Sequence, residues 1–363
     1  MAQIKYTFLE RLGGGGQAEV FRGLAESMEG FRRPVALKRV LPNLTSNPQF
    51  VSMFLDEARL SLFLQHANVV QVFDIARAPD GTYFLAMEYV DGCDLKALIE
   101  HEISNKRSAN IALVLHIVIE CCKGLHYAHT LEHPETGQPL HIVHRDISPP
   151  NVMLSKNGEV KVVDFGLAKA NSQLEITDEG VVKGKFSYLA PETALGQHVD
   201  ARADVFALGI LLWEMLTERR LFIADTPYET VSLIRRARMP SIIALNPNVD
   251  PELEAIVRTA LAKDRDQRYE TAADLGEALT AYLFSRGIKA TSKDVALTVR
   301  DIRSVRAKRS SPRAALTHAL VQDEINKLTT LVAEELASAR QPEPVTSPGS
   351  MVDTTDWAAD LED

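Results

Sequence analysis

The side chains of this sequence that could do chemistry cluster in two short segments, residues 144–151 and 164–166. The first segment holds Asp146 and Asn151 five positions apart, so that one rigid loop can present both. Asp164 follows thirteen positions after Asn151 and precedes a Phe-Gly pair. Phosphoryl transfer requires a carboxylate that orients a hydroxyl nucleophile, together with oxygen ligands for Mg²⁺. We therefore predict Asp146 as the catalytic carboxylate and Asn151 and Asp164 as Mg²⁺ ligands.

A glycine run after Leu12 is the second candidate for phosphate chemistry. It lies between two predicted strands and includes Gly13 and Gly15, with Val20 at the start of the second strand. Backbone amides approach phosphate oxygens closely only where side chains are absent, which explains glycine at these positions. Four glycines alone would equally suit a flexible hairpin, so the run gains weight only from the segments that follow it.

The elements that must position these residues change character along the chain. Residues 6–87 are rich in β-branched and alternating segments with one helical segment at 50–65, whereas residues 91–284 are mainly helical in pattern. A strand-rich part followed by a helix-rich part predicts an α+β fold with two lobes and a cleft between them.

The order of these motifs resembles that of the bacterial eukaryotic-like serine/threonine protein kinases. In that family the catalytic loop reads H-R-D-x-x-x-x-N before D-F-G, and the glycine loop reads G-x-G-x-x-G-x-V. Here Ala18 stands at the third glycine position. The resemblance implies a small β-rich N-lobe and a larger helical C-lobe, ATP and Mg²⁺ as cofactors, and protein substrates.

The same resemblance assigns the rest of the nucleotide site. Lys38 would hold the α- and β-phosphates and pair with Glu57 of the next helix. The remaining nucleotide-site residues implied in this way are Ala36, Met87, Glu88, Val90 and Asp94, the last beside the ribose. Two plainer interpretations stay open: Lys38 as a solvated strand lysine, and residues 87–94 as a strand end followed by a helix cap at Asp94.

Three later motifs extend the resemblance to the end of the C-lobe. Residues 190–192, Ala-Pro-Glu, match the segment that closes the activation region. Asp204 matches an aspartate that anchors the catalytic loop, and Arg268 matches the arginine that pairs with Glu192. We therefore predict a kinase domain over residues 1–284.

Two positions depart from the family pattern together. Ser148 stands where serine/threonine kinases carry lysine, and Lys185 stands where they carry threonine. Our hypothesis is that Lys185 reaches toward Ser148 and supplies the catalytic cation near the γ-phosphate; the alternative is a solvent-facing Lys185. The exchange weakens the assignment of the acceptor, but the Ala-Ala-Arg loop of tyrosine kinases is absent as well, so serine or threonine is predicted.

Arg145 suggests regulation by phosphorylation of the activation loop, because an arginine before the catalytic aspartate commonly receives a phosphate. Thr177 is the predicted phosphosite. Alternatively, Asp178 or Glu179 could mimic the phosphate.

Composition bounds the remaining possibilities. The net charge of −9 argues against a nucleic-acid partner, since phosphate contacts call for a basic surface. The three cysteines are too few for a disulfide framework and predict reduced thiols in the cytoplasm. The longest apolar stretch, residues 111–119, is too short to span a bilayer, so no membrane span is expected.

The chain beyond residue 284 is the least informative part. Residues 285–340 read as a basic and then helical extension, and residues 341–363 as an acidic, disordered tail. The extension could be a solvated helix face, or it could dock a partner or the kinase domain itself. The predicted function is an ATP-dependent protein serine/threonine kinase that autophosphorylates. One alternative is a pseudokinase scaffold, but all of the family's usual catalytic positions carry the expected residue types, which argues against it. The other is a small-molecule kinase, against which residues 190–192 and Arg268 argue.

Overall fold

The computed structural model describes residues 4–15, 18–78, 80–105, 110–165 and 185–309. The side chains of Glu57, Lys185, Lys308 and Arg309 fall outside that description. The chain divides into two compact units, Met1–Ser304 and Val305–Asp363. All of the candidate site residues lie in the first unit.

The N-lobe is a five-stranded antiparallel sheet in the order β1-β2-β3-β5-β4, with two helices. Its elements are β1 (Lys5–Gly14), β2 (Ala18–Glu26), β3 (Arg32–Val40), α1 (Pro42–Thr45), α2 (Pro48–Leu62), β4 (Val72–Arg77) and β5 (Tyr83–Glu88). Helix α2 begins at Pro48 because the Asn47 side chain accepts the backbone N–H groups of Gln49 and Phe50. It buries Phe50, Phe54 and Ala58 against the sheet, at the spacing of one helix face.

The C-lobe is mainly helical and begins with a small three-stranded sheet, β6-β7-β8. Its elements are β6 (Gly92–Asp94), α3 (Leu95–Ser104), α4 (Ile111–His129), β7 (Val152–Ser155), β8 (Val160–Val162), α5 (Pro191–Ala194), α6 (Arg202–Thr217), α7 (Pro227–Arg236), α8 (Pro251–Ala260), α9 (Ala272–Ser285) and α10 (Ser292–Arg309). Single 3-10 turns lie at Pro149–Asn151, Lys185–Tyr188 and Arg265–Gln267. The predicted two-lobed α+β architecture is confirmed.

Two helices form the centre of the C-lobe core. Helix α6 is buried from Ala203 to Thr217 on every face, which is the pattern of a helix enclosed by other elements. Helix α4 is long and apolar enough to cross a membrane by length and composition alone. Most of α4 is buried inside the lobe, however, and its apolar residues belong to the main hydrophobic core.

Helix α10 lies where the sequence indicates only a basic composition. Its apolar residues Val295, Val299 and Ile302 follow the i, i+4, i+7 spacing of one face and are buried in the C-lobe core. The exposed Leu297 lies off this narrow stripe, and the charged residues Arg300 and Asp301 interrupt it, so the sequence alone does not show it. The part of the predicted extension beyond residue 309 and the acidic tail at 341–363 lie outside the described residues.

Candidate active site

A cavity of about 550 Å³ lies between the two lobes. The glycine run, strand β3, the segment after β5 and the catalytic loop all contribute to its wall. The predicted residues among its lining are Leu12, Gly13, Gly15, Val20, Ala36, Lys38, Met87, Glu88, Val90, Asp94, Asp146, Asn151 and Asp164. The structure therefore gathers the predicted nucleotide, metal and catalytic residues around one space, with the exception of Glu57 and Lys185, whose side chains are not described.

The roof of this cavity is the β1–β2 hairpin. Gly13 pairs with Val20 and Gly14 with Glu19 across the ladder, and the Gly15 amide donates to the Ala18 carbonyl at 2.9 Å. A Cβ atom built at Gly13 or at Gly15 would meet nothing within 4 Å. These glycines are thus not required by packing within the chain, and their lack of side chains leaves room for a ligand to approach the backbone.

Lys38 projects from β3 into the cavity and forms an ion pair with Asp164, with 2.8 Å between Nζ and Oδ2. Its side chain is only 13% exposed, so the interpretation as a solvated strand lysine is wrong. Glu57, the predicted partner, lies on α2, and its side chain falls outside the described part of the structure. The pairing of Lys38 with Glu57 therefore stays a prediction.

The catalytic loop holds Asp146 and Asn151 together, as their spacing predicts. The Asn151 amide nitrogen Nδ2 donates to the Asp146 carbonyl at 2.7 Å and to its Oδ2 at 3.0 Å. Because Nδ2 is the donor in both bonds, Oδ1 is the atom of this amide that can serve as a metal ligand. An amide oxygen and the Asp164 carboxylate on one cavity are hard oxygen donors that fit Mg²⁺, which takes few protein ligands and completes its shell with water and phosphate oxygens.

A buried carboxylate fixes this loop from below. Asp204 at the start of α6 accepts the backbone N–H groups of His144 and Arg145, each at 2.8 Å, and contacts His129 Nε2 at 2.8 Å. Burial by itself raises the pKa of Asp204, but the hydrogen bond and charge of His129 outweigh it and hold that pKa below its usual value. Arg145 adopts a positive φ of 65°, a strained conformation that these bonds hold in place.

The side chain of His144 has a structural role in the catalytic loop. The Asp146 N–H donates to His144 Nδ1 at 3.2 Å, so Nε2 carries the proton and donates to the Val163 carbonyl at 2.8 Å. Its ring packs edge-on against Phe165, with 4.6 Å between ring centroids. The residue thereby ties the catalytic loop to the segment that carries Asp164.

The predicted pair of Glu192 and Arg268 is present and buried. Both guanidinium Nη atoms donate to the carboxylate at 2.8 Å, and the side chains are 5% and 0% exposed. Arg268 also lies over the Phe206 ring and donates to the Ala262 carbonyl. The end of the activation region is thus fixed to the C-lobe.

The segment between the lobes carries contacts that the sequence does not reveal. Glu88 forms an ion pair with Lys161 of β8 at 3.0 Å, and its backbone N–H donates to the Gln71 carbonyl at 2.9 Å. The Asp94 carboxylate accepts the Ala97 N–H at 2.8 Å and so caps α3, which agrees with the plainer interpretation of this residue as a helix cap. Asp94 also lines the cavity.

Sequence reasoning missed several apolar residues that line the cavity. They are Val40, Phe50, Phe54, Val70, Met153 and Val163. Two of them had a signal in their position, because Met153 follows Asn151 by two residues and Val163 directly precedes Asp164. A larger open groove of about 800 Å³ lies elsewhere on the C-lobe, beside Glu192, and contains none of the predicted catalytic residues.

Two predictions on the activation region lie outside what the structure describes. Lys185 begins a 3-10 turn, but its side chain is not described, and Thr177 falls within the undescribed residues 166–184. The Ser148 hydroxyl lies 3.5 Å from the Asp146 carbonyl. A meeting of Lys185 with Ser148 therefore stays a prediction.

Comparison with known proteins agrees with this geometry. MasK of Myxococcus xanthus (strain DK1622), named a tyrosine-protein kinase, is 43% identical over 278 residues, which are 77% of this chain and 43% of MasK. The serine/threonine-protein kinase PknB of Mycolicibacterium smegmatis is 37% identical over 279 residues, 75% of this chain and 42% of PknB. The serine/threonine-protein kinase PrkC of Bacillus subtilis (strain 168) is 35% identical over 275 residues, 75% of this chain and 39% of PrkC.

The chain thus spans less than half the length of these curated relatives. Among solved structures, the kinase domain of Mycobacterium tuberculosis PknI aligns with a TM-score of 0.56 at 25% identity, over 76% of this chain and 94% of that one. The family model described as the protein kinase domain matches residues 6–278. Since that match covers most of the sequence, and the relatives are bacterial, the chain belongs to the protein kinase family as a bacterial, eukaryotic-like member.

Proposed function

We propose that this protein transfers the γ-phosphate of Mg-ATP to serine or threonine hydroxyls of proteins, and that it phosphorylates itself. One observation carries the proposal. A single cavity between the lobes is lined by the glycine run, by the ion pair of Lys38 and Asp164, and by the hydrogen-bonded pair of Asp146 and Asn151.

Each part of this cavity has a task in phosphoryl transfer. The Lys38 ammonium binds phosphate oxygens as a point charge, and the backbone of the glycine run faces the phosphates. Asp146 orients the acceptor hydroxyl and accepts its proton. Asn151 and Asp164 would hold Mg²⁺, which when bound would neutralise negative charge on the phosphates. Because the transferred group is charged throughout, positioning and electrostatic stabilisation dominate the catalysis.

The C-lobe contacts favour a protein as the substrate. The buried pair of Glu192 and Arg268 fixes the segment that follows the activation region. Nearby, the Tyr188 hydroxyl donates to Glu214 at 2.7 Å, and Arg220 lies 3.2 Å from the same carboxylate. A rigid platform of this kind suits an extended polypeptide better than a small molecule.

The identity of the acceptor residue has two candidates. Serine or threonine is supported by the names of PknB and PrkC. Tyrosine is supported by the name of MasK and by Ser148, which replaces the lysine typical of serine/threonine kinases. We favour serine or threonine because two of the three relatives carry that description.

The location of the domain follows from the same properties. All three cysteines are buried and form no disulfide, and burial raises the pKa of Cys121 to about 12. Such thiols suit a reducing compartment, and we propose the cytoplasm. Docking of a partner by the C-terminal extension stays a prediction.

The test is the intact mass of the purified protein and of the Asp146→Asn variant after incubation with Mg-ATP, followed by mapping of the modified residues. We expect added phosphate on serine or threonine of the wild type and none on Asp146→Asn. Phosphotyrosine would favour the second acceptor. Binding of ATP without transfer, detected as thermal stabilisation, would contradict the proposal and indicate a nucleotide-binding scaffold.

A further inference from the structure

Helix α10 follows the end of the family match at residue 278 and yet packs as part of the C-lobe. Val295, Val299 and Ile302 are 0%, 0% and 2% exposed. At its beginning the helix touches the turn between β7 and β8, where a Cβ atom on Gly158 would lie 1.8 Å from the Ser292 carbonyl oxygen. Gly158 has a φ of +92°, so this close approach and the turn itself both require glycine.

The exposed side of α10 reaches the segment that leaves the cavity between the lobes. Arg303 Nη1 lies 2.7 Å from Asp91 Oδ1, and Lys156 Nζ lies 2.7 Å from Asp91 Oδ2. The Lys156 N–H also donates to the Asp91 carbonyl at 2.8 Å. We call these three residues, Asp91, Lys156 and Arg303, the hinge clasp. The hydrogen bond from Lys156 and the charge of Arg303 lower the pKa of Asp91, so the carboxylate is ionised at neutral pH.

A second contact joins α10 to helix α3, which directly follows residues 88–94. Asp301 Oδ2 lies 3.1 Å from His101 Nε2 of α3, and the His101 side chain is only 7% exposed. Helix α3 starts at the cap residue Asp94, which lines the cavity. Helix α10 therefore holds the chain on both sides of Asp94: at Asp91 before it and at His101 after it.

The position of Asp91 connects this contact to the nucleotide site. It directly follows Val90 and precedes Asp94 by three residues, and both of these residues line the cavity. We propose that Arg303 is a positioning residue: through Asp91, helix α10 sets the path of residues 88–94 and thereby the affinity of the site for ATP. This inference rests on the proposed function, because it assumes that ATP occupies the cavity.

The test compares Arg303→Ala with Arg300→Ala. Arg300 is an exposed arginine on the same helix that has no contact with Asp91 among the ion pairs and hydrogen bonds of the described residues. Since the side chains of Arg303 and Asp91 are 47% and 35% exposed, the expected effect is moderate. Arg303→Ala should raise the KM for ATP by about threefold with kcat unchanged, as for lost binding that the ground state and the transition state share. Arg300→Ala should change neither constant.

A double-mutant cycle separates the clasp from a general effect of charge. In an Asp91→Asn background, removal of Arg303 should raise the KM for ATP no further. The inference would be overturned if the effects of Arg303→Ala and Asp91→Asn on the KM for ATP were additive. It would also be overturned if Arg303→Ala and Arg300→Ala changed that KM equally.

Hydrogen exchange of the nucleotide-free protein gives a readout that needs no ATP. Arg303→Ala should speed amide exchange in residues 91–94 and at Lys156, whereas Arg300→Ala should not. Unchanged exchange would overturn the clasp itself. If Arg303→Ala speeds amide exchange but the wild-type protein binds no ATP, the proposed function is overturned. The link from the hinge clasp to ATP affinity is then overturned with it.

Discussion

The floor and the roof of the cavity are built by different means. The floor is the catalytic loop, whose His144 is fully buried and whose backbone is fixed by a carboxylate that is 1% exposed, Asp204. The roof is the β1–β2 hairpin, in which Leu12 is 47% exposed and the ion pair of Arg11 and Glu19 lies at the surface. Buried charged networks are costly to break, whereas exposed pairs contribute little.

This difference indicates a division of tasks. Asp146 and Asn151, to which the proposed function assigns the chemistry, are on the part of the site that the core holds in place before any ligand arrives. The groups that must admit and release a nucleotide are on the part held mainly by backbone hydrogen bonds of a hairpin. Pre-organisation is thus concentrated where transition-state stabilisation needs it.

The largest effect is expected from breaking the buried pair of Glu192 and Arg268 in the C-lobe. Arg268→Met leaves Glu192 as a buried carboxylate without its bidentate partner, at a cost of about 3–5 kcal/mol in the free energy of unfolding. Thermal and denaturant unfolding would measure the loss. The double variant Glu192→Gln with Arg268→Met should recover part of it, because the unpaired charge is then gone. A single variant as stable as the wild type would contradict the importance of this pair.

The next effect concerns the anchor of the catalytic loop. The His144 N–H donates to Oδ2 of Asp204 and the Arg145 N–H to Oδ1, so Asp204→Asn places an amide donor opposite one of these two N–H groups, which costs about 1–3 kcal/mol in stability. We expect kcat to fall at least tenfold, since Asp146 is displaced. Unfolding curves and initial rates would measure both quantities.

The pH dependence of stability gives a control for the same residue. The pKa of Asp204 is lowered in the folded state, so its ionised form stabilises the fold above the unfolded pKa of about 4. That contribution disappears as the pH falls through the lower, folded value. Asp204→Asn should therefore flatten the acid end of the stability profile. An unchanged acid limb would show that Asp204 is not the charged anchor.

A smaller effect tests the hypothesis that Ser148 and Lys185 have exchanged the positions of hydroxyl and cation. If Lys185 supplies the cation that serine/threonine kinases place at the position of Ser148, Lys185→Met should lower kcat about tenfold and leave stability unchanged. Lys183→Met, two positions earlier, serves as the matched control. Full activity of Lys185→Met would contradict the hypothesis that Lys185 supplies the catalytic cation.

The smallest effect is expected at the roof. Arg11→Ala removes an ion pair whose side chains are 60% and 29% exposed, so the KM for ATP should rise by less than about threefold, with the melting temperature unchanged. Glu19→Ala should behave alike. A loss of stability as large as that of Arg268→Met would erase the contrast between roof and floor.

The sequence could predict residues at short spacing but not contacts between distant residues. Asp146, Asn151 and Asp164 could be predicted because their chemistry fixes residue types at short spacing. The pairs Glu88–Lys161 and Asp91–Arg303 were not, since they join residues 73 and 212 positions apart whose types are common on any surface. The ion pair of Lys38 with Asp164 likewise depends on how the two lobes meet, which no local pattern records.

Amide hydrogen exchange of the nucleotide-free protein, repeated with Mg-ATP, shows whether the catalytic loop is organised before the nucleotide binds. We predict slow exchange at His144 and Arg145 in both conditions, and fast exchange in the described residues of the β1–β2 hairpin that slows when the nucleotide binds. Equally fast exchange of floor and roof without nucleotide, with both slowed by Mg-ATP, would contradict a catalytic loop organised in advance.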